Sequence, residues 1–277
     1  MLLLALDTST RQSSIALCSE DEFYGEYTWS TDNNHSVELL DYIQRLLAEC
    51  KVTLPQLDAV AVATGPGSFN GVRVALATAK ALSFALQKSL IGVSTLDIIA
   101  SQQRLARVPI CAVLEAGRTE LYAACYVSDE LRSGGGELTY RLRRLGDYLL
   151  FTPQRLVAYL QEHASEWFGI PGERTLPPFL FCGEMNASSR QALRAQMQER
   201  SLFIDSIQST RRASTLAMLA LQRLQDGILD DPLSLEPLYL RRPSITTSSR
   251  KQPLLGGAAQ RTTGQLTTER EEGALRH

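Results

Sequence analysis

A glycine-rich stretch, Ala63-Thr64-Gly65-Pro66-Gly67-Ser68-Phe69-Asn70-Gly71-Val72-Arg73, constrains this chain more than any other part of it. An apolar run, Leu57 to Ala63, precedes it and reads as a buried strand, and an Ala-rich segment follows that reads as a helix. Three glycines and a proline within seven residues mark a tight turn whose backbone comes close to a neighbour. An anion would suit, because such a turn presents free N–H groups and the positive end of a helix dipole. Protein would suit equally, the glycines then serving to let strand and helix pack closely. The spacing is neither the Walker nor the Rossmann pattern and leaves the two readings open.

The helix after the turn, about residues 72–87, carries two apolar stripes. At 100° per residue Val72, Ala75, Leu76, Ala79, Leu82 and Leu86 share one side, and Val74, Ala77, Ala81, Phe84 and Ala85 share the opposite side. A surface helix needs one apolar face, so a second one implies another element or another chain. A subunit interface is favoured, with the alanines admitting a partner backbone.

Upstream, Leu2 to Leu6 is a continuously apolar strand ending in Asp7-Thr8-Ser9-Thr10, Ser13 to Ser19 reads as its returning strand, and Phe23 to Ser30 as a third. Strand, acidic turn, strand, strand opens a ribonuclease-H-like half-domain, in which an Asp at this place holds a metal or a water near a phosphate; an Asp merely capping a turn is the alternative. His35 stands at the start of a helix running to Cys50, and reads as a capping residue. Leu90 to Val93 is a further strand, and Ser94 starts a helix running to about Arg104. Composition resets after Arg107. Strands at 108–114 and 121–127, a Gly134-Gly135-Gly136 loop tip, a basic strand through Tyr140 and Leu145, a helix from Pro153, a strand at 179–182 and helices near 189–200 and 214–226 follow. From Pro243 onward apolar content is too low for a core, and the tail is expected to be disordered.

Two lobes, 1–107 and 108–242, and a tail, 243–277, are therefore expected. A net charge of −2 gives no electrostatic footprint for binding nucleic acid unaided. Met1 to Leu6 is too short and lacks the basic start of a signal peptide, and no run reaches the roughly 18 apolar residues of a membrane span. Five scattered cysteines with no C-x-x-C pair read as reduced thiols of a cytoplasmic protein.

Several stretches together resemble the TsaB family, formerly called YeaZ. They are Ala5-Leu6-Asp7-Thr8-Ser9-Thr10, the His35 helix start, Gly65 to Arg73, Ile91-Gly92-Val93-Ser94-Thr95-Leu96, the turn Glu115 to Tyr122 and the closing Glu236-Pro237-Leu238-Tyr239-Leu240-Arg241. They cover residues 1–242 in order. Asn70 stands where Thr is usual, and Glu115 and Gly117 where Asp and Ala or Arg are common. The resemblance implies an α/β, actin-like fold of two ribonuclease-H-like lobes. It implies a part in making N6-threonylcarbamoyladenosine at position 37 of tRNA, as partner of a catalytic paralogue, TsaD, alongside an ATPase, TsaE. The helices after the third strand and after the glycine turn would form a bundle with the paralogue, placing Leu40, Leu47, Val74, Ala77, Ala81, Phe84 and Ala85 at the interface.

The paralogue carries His-x-x-x-His, a pair that faces one way on a helix and can share a metal. Thr95 and Ile99 hold those positions here, so neither metal nor cofactor is expected. Ser9 stands where Asp-x-Gly would open a path to phosphate, and Cys182-Gly183 offers one glycine where two are needed. Asp7, Gly65, Gly67, Ser68, Gly71 and Arg73 are read as a vestigial phosphate loop, with no catalytic residue. The expected chain is a non-catalytic subunit that meets tRNA only through the complex and pairs with itself when its partner is missing. The alternatives are an independent ATPase or small-molecule kinase acting through Asp7, and a peptidase, for which one His in the first lobe supplies neither a zinc site nor an activated nucleophile.

Overall fold

Each apolar run becomes a buried strand, and the runs assemble twice into the same sheet. The computed structural model describes residues 1–31, 35–132, 138–169 and 176–241, side chains of 35–37 excepted. The expected loop tip at 134–136 and the tail lie outside them. The first sheet contains β1 (Leu3–Asp7), β2 (Gln12–Cys18), β3 (Phe23–Ser30), β4 (Ala59–Ala63) and β5 (Ser89–Val93), in the order β3-β2-β1-β4-β5. The first three form an antiparallel meander, and β4 and β5 run parallel to β1. The second contains β6 (Ile110–Gly117), β7 (Glu120–Arg132), β8 (Leu138–Phe151), β9 (Phe179–Glu184) and β10 (Ser201–Phe203), in the order β10-β9-β6-β7-β8. Its meander and its two parallel strands repeat the first sheet's pattern.

The helices repeat as well. α1 (His35–Glu49), α2 (Phe69–Leu86) and α3 (Thr95–Ser101) follow β3, β4 and β5, just as α4 (Pro153–Phe168), α5 (Ala187–Met197) and α6 (Ala213–Gln225) follow β8, β9 and β10. Local chemistry sets their ends. Ser68, Ser94, Thr152 and Asn186 accept a backbone N–H from the first turn of their helices, and Pro153 occupies a first position that has no need of an N–H.

One face of the first sheet packs on α1 and α2, burying Leu4, Leu6, Ile15, Leu39, Ile43, Leu46, Val60, Ala75 and Leu76 together. One face of the second packs on α4 and α5 through Leu156, Leu160, Phe179, Phe181 and Leu193. The remaining two faces are covered crosswise. α6, expected with the second lobe, lies on the first sheet, with Ala213, Leu216, Ala217 and Ala220 against Leu3, Ala5, Ala61 and Ile91. α3, expected with the first lobe, sends Leu96, Ile99 and Ala100 into the core of the second sheet. Apolar strands buried on both faces need a cover on each side, and each half supplies the other's. Residues 1–107 and 108–242, the expected lobes, thus each hold one of the two sheets, and each sheet takes one cover from the other half.

Side-chain bonds fix the crossing helices. Asp97 of α3 accepts from Tyr126 Oη at 2.6 Å and Tyr148 Oη at 2.9 Å, on β7 and β8. Glu26 of β3 accepts from Ser214 N at 3.0 Å and Ser214 Oγ at 3.1 Å, holding the first turn of α6. No helix among the described residues is long and apolar enough to cross a membrane.

Candidate interlobe cleft and helix face

The glycine turn packs on protein. A Cβ on Gly67 would stand 2.0 Å from Ser9 O, and one on Gly71 would stand 2.1 Å from Thr8 O. Ser68 N donates to Ser9 O at 2.6 Å, and Thr8 Oγ1 donates to Gly71 O at 2.6 Å. The turn is therefore fastened to the β1–β2 corner, and the Ser68 amide, one of the donors an anion would need, is already committed. Gly65, at φ +95°, lets the chain swing across to the closing segment. There Leu238 N donates to Thr64 O at 2.8 Å. Arg73 is exposed, lies 3.7 Å over the Phe69 ring and donates from Nε to Tyr239 Oη at 2.7 Å. Asp7, Gly67, Ser68 and Gly71 thus gather at one corner, whereas Gly65 and Arg73 serve the closing segment.

Asp7 is fully buried and ion-paired. Its Oδ1 accepts from Ser9 N at 2.8 Å and Ser9 Oγ at 2.6 Å. Its Oδ2 accepts from Arg211 Nε at 2.8 Å, and Arg211 is itself only 1% exposed. The same guanidinium pairs with Glu184 at the end of β9 and donates to Thr10 Oγ1 at 3.1 Å and Gln12 O at 2.7 Å. Burial alone would lower the Arg211 pKa; the Asp7 and Glu184 carboxylates outweigh it and raise the value, keeping the guanidinium charged. Neither Arg211 nor Glu184 carries a local signal in the sequence. Each sits in an unremarkable stretch, and only the fold brings them to Asp7.

Next to this cluster a cleft of 630 Å³ opens between the lobes, lined by Thr10, Gly67, Ser68, Tyr122, Glu184 and Asn186 among others. Asp7 does not line it, being sealed behind Ser9 and Arg211. Gly183, at φ +108°, is required by packing, since a Cβ there would lie 2.1 Å from Val113 O. Glu115 Oε1 accepts from Asn186 N at 2.9 Å, and Arg241 pairs with Glu120 and donates to Ala116 O at 2.9 Å. The closing segment thereby joins the glycine turn to the β6–β7 turn. Thr95 and Ile99 are buried in the core between the lobes; Thr95 N donates to Gly65 O at 2.8 Å, and its Oγ1 has no hydrogen-bond partner among the described residues. No group of three His, Cys, Asp or Glu side chains that could hold a metal occurs among the described residues.

On α2 the two stripes separate. Val72, Ala75, Leu76 and Ala79 are buried, whereas Ala77, Ala81, Phe84 and Ala85 are exposed, Phe84 at 70%. Leu40 of α1 is exposed at 52%. Val74 is half-buried against its own core. Leu47, expected at the interface, is a correction: it is 6% exposed and belongs to the first lobe's core. The chain after α1 turns back over it, with Val52 N donating to Leu47 O at 2.9 Å.

Two copies of a meander-plus-parallel sheet, flanked by exchanged helices around a central cleft, define an actin-like two-lobed α/β protein. A family model described as TsaD, tRNA N6-adenosine threonylcarbamoyltransferase, matches residues 24–248. The chain belongs to that family, on its TsaB (YeaZ) side. The Haemophilus influenzae tRNA threonylcarbamoyladenosine biosynthesis protein TsaB is 27% identical over 246 residues, covering 87% of this chain and 94% of the relative. The Bacillus subtilis TsaB is 35% identical over 126 residues, which are 46% of this chain and 55% of that protein. The solved structure of YeaZ from Pseudomonas aeruginosa is 27% identical, with a TM-score of 0.65 over 86% of this chain and 99% of that one.

Proposed function

We propose that this chain acts in tRNA threonylcarbamoyladenosine biosynthesis as a non-catalytic subunit that docks on a TsaD-like catalytic paralogue. The carrying observation is the exposed apolar stripe Ala77, Ala81, Phe84 and Ala85 on a helix whose other side is already buried. Full burial of an aromatic side chain such as Phe84 contributes about 1.5–3 kcal/mol, so the stripe suits a lasting contact. Small side chains on either side of Phe84 let a partner helix approach closely. The names of the relatives support the pathway, and the saturated Asp7 supports the absence of chemistry in this subunit. A TsaE-like ATPase would act within the same assembly, and tRNA would be met through it.

The test is capture of the paralogue by the tagged full-length chain from its own cells. Recovery near one to one is expected, and Ala77→Arg should abolish it by driving a charge into an apolar contact. Recovery of the chain alone, or only with itself, would sink the reading. In that event titration with Mg-ATP would test the independent ATPase or kinase, which requires a reachable Asp7 and loss of turnover in Asp7→Ala.

A further inference from the structure

Around the Arg211 guanidinium stand the carboxylates of Asp7 and Glu184, the hydroxyl of Thr10 and the carbonyl oxygen of Gln12. Carboxylates, a hydroxyl and a carbonyl are the donor set of a hard divalent cation. Two carboxylates around one guanidinium leave one negative charge over, whereas a divalent ion in the guanidinium's place would cancel both. In an actin-like fold a carboxylate at the end of the first strand is where a metal with its phosphate would be held. Here the residues do not fit that group: Asp7 is 0% exposed and both its oxygens are engaged.

We propose that Arg211 is a resident cation buried beside this cleft, its guanidinium standing where a divalent ion would stand between Asp7 of the first lobe and Glu184 of the second. The arrangement performs two tasks at once. It neutralises a carboxylate that would otherwise be buried unpaired, a strongly unfavourable state. It also ties the two sheets together behind the lining of the cleft, the structural half of what a metal bridging the lobes would do. A guanidinium is permanently charged and covalently held, so the bridge persists at any metal concentration. The four oxygen-bearing residues around it remain a latent cation site.

The test uses the full-length chain and Mn²⁺ as probe, followed by its electron-spin resonance and by thermal unfolding. The wild type should show no Mn²⁺ uptake that depends on Asp7. Arg211→Ala should gain a site at least about tenfold tighter than anything on the wild type, as expected when a positive charge leaves two carboxylates. Mn²⁺ should raise the unfolding midpoint of that variant, by mass action, and leave the wild-type midpoint unmoved. Adding Asp7→Asn should remove both effects. If Arg211→Ala does not fold, the pair Asp7→Asn with Arg211→Met should, and it should melt above Asp7→Asn alone, because the single variant keeps a buried guanidinium with one of its two carboxylates gone, whereas the pair leaves only the part-exposed Glu184 without its partner. Mn²⁺ uptake by the wild type that Asp7→Asn abolishes would overturn the proposal. So would a folded Arg211→Ala that gains no Mn²⁺ site, or a paired variant that melts no higher than the single one. Capture or loss of the paralogue bears on α2 alone and moves none of these readings.

Discussion

Gly67 and Gly71 are held by carbonyl oxygens, and their replacement has a definite consequence. The atoms a new Cβ would strike, Ser9 O and Thr8 O, are backbone and have no rotamer to escape into. Gly71→Ala should therefore lower stability by about 2–4 kcal/mol, seen as an earlier unfolding midpoint. The thiols offer a second residue-level check. Cys18, Cys111, Cys125 and Cys182 are buried and Cys50 only partly so. Burial pushes the Cys18 thiol up to about 11 and raises Cys50 less. A thiol reagent added to the native chain near neutral pH should label Cys50 first, and Cys50→Ala should remove the fast phase. At this scale the sequence announces Asp7 and the glycines, because type and spacing are local properties. It does not announce Arg211, whose bond to Asp7 spans 204 positions.

The elements were the most legible part, and α2 most of all. Its two stripes follow from 3.6-residue periodicity, and a helix bears that periodicity whatever surrounds it. α1 shows where the method stops. Leu40 and Leu47 are seven residues apart and share a face, yet one is 52% exposed and the other 6%. The returning chain at Val52 and Leu54 covers the far end of the helix, which no periodicity encodes. β10 was missed as well, since three residues are too few to carry a pattern. For the exposed stripe the expectation is direct: Phe84→Ala should weaken paralogue binding by about tenfold or more, the equivalent of about 1.4 kcal/mol or more. Ala81→Glu should prevent binding while leaving the unfolding midpoint of the isolated chain nearly unchanged, because the side chain it adds projects to solvent. A large fall in that midpoint would place Ala81 in the fold's own packing instead.

For the whole molecule, alkaline stability follows from the buried thiols. Burial raises the pKa of Cys18 from 9.0 to about 11 and raises Cys182, and the contact with Cys125 together with burial raises Cys111. The folded chain thus holds these protons more tightly than the unfolded one. Their stabilisation is full below the unfolded value near 9.0 and is lost as pH rises through the folded values. The unfolding midpoint should be insensitive to these thiols up to about pH 9 and fall above it, more steeply than in a variant with Cys18 and Cys182 replaced by Ala. The strands of the two sheets were legible, β10 excepted, but the exchange of α3 and α6 was not, because apolarity says that a face is buried and not by which neighbour. That exchange matters while the chain is being made. When Val93 has left the ribosome, the face of the first sheet carrying Leu3, Ala5, Ala61 and Ile91 has no cover until Ala213 to Gln225 emerge, an interval of about ten seconds at ordinary synthesis rates. Nascent chains of this protein should accordingly recruit chaperones through that window, and a fragment of residues 1–107 should aggregate unless a peptide carrying the α6 sequence is supplied to close it.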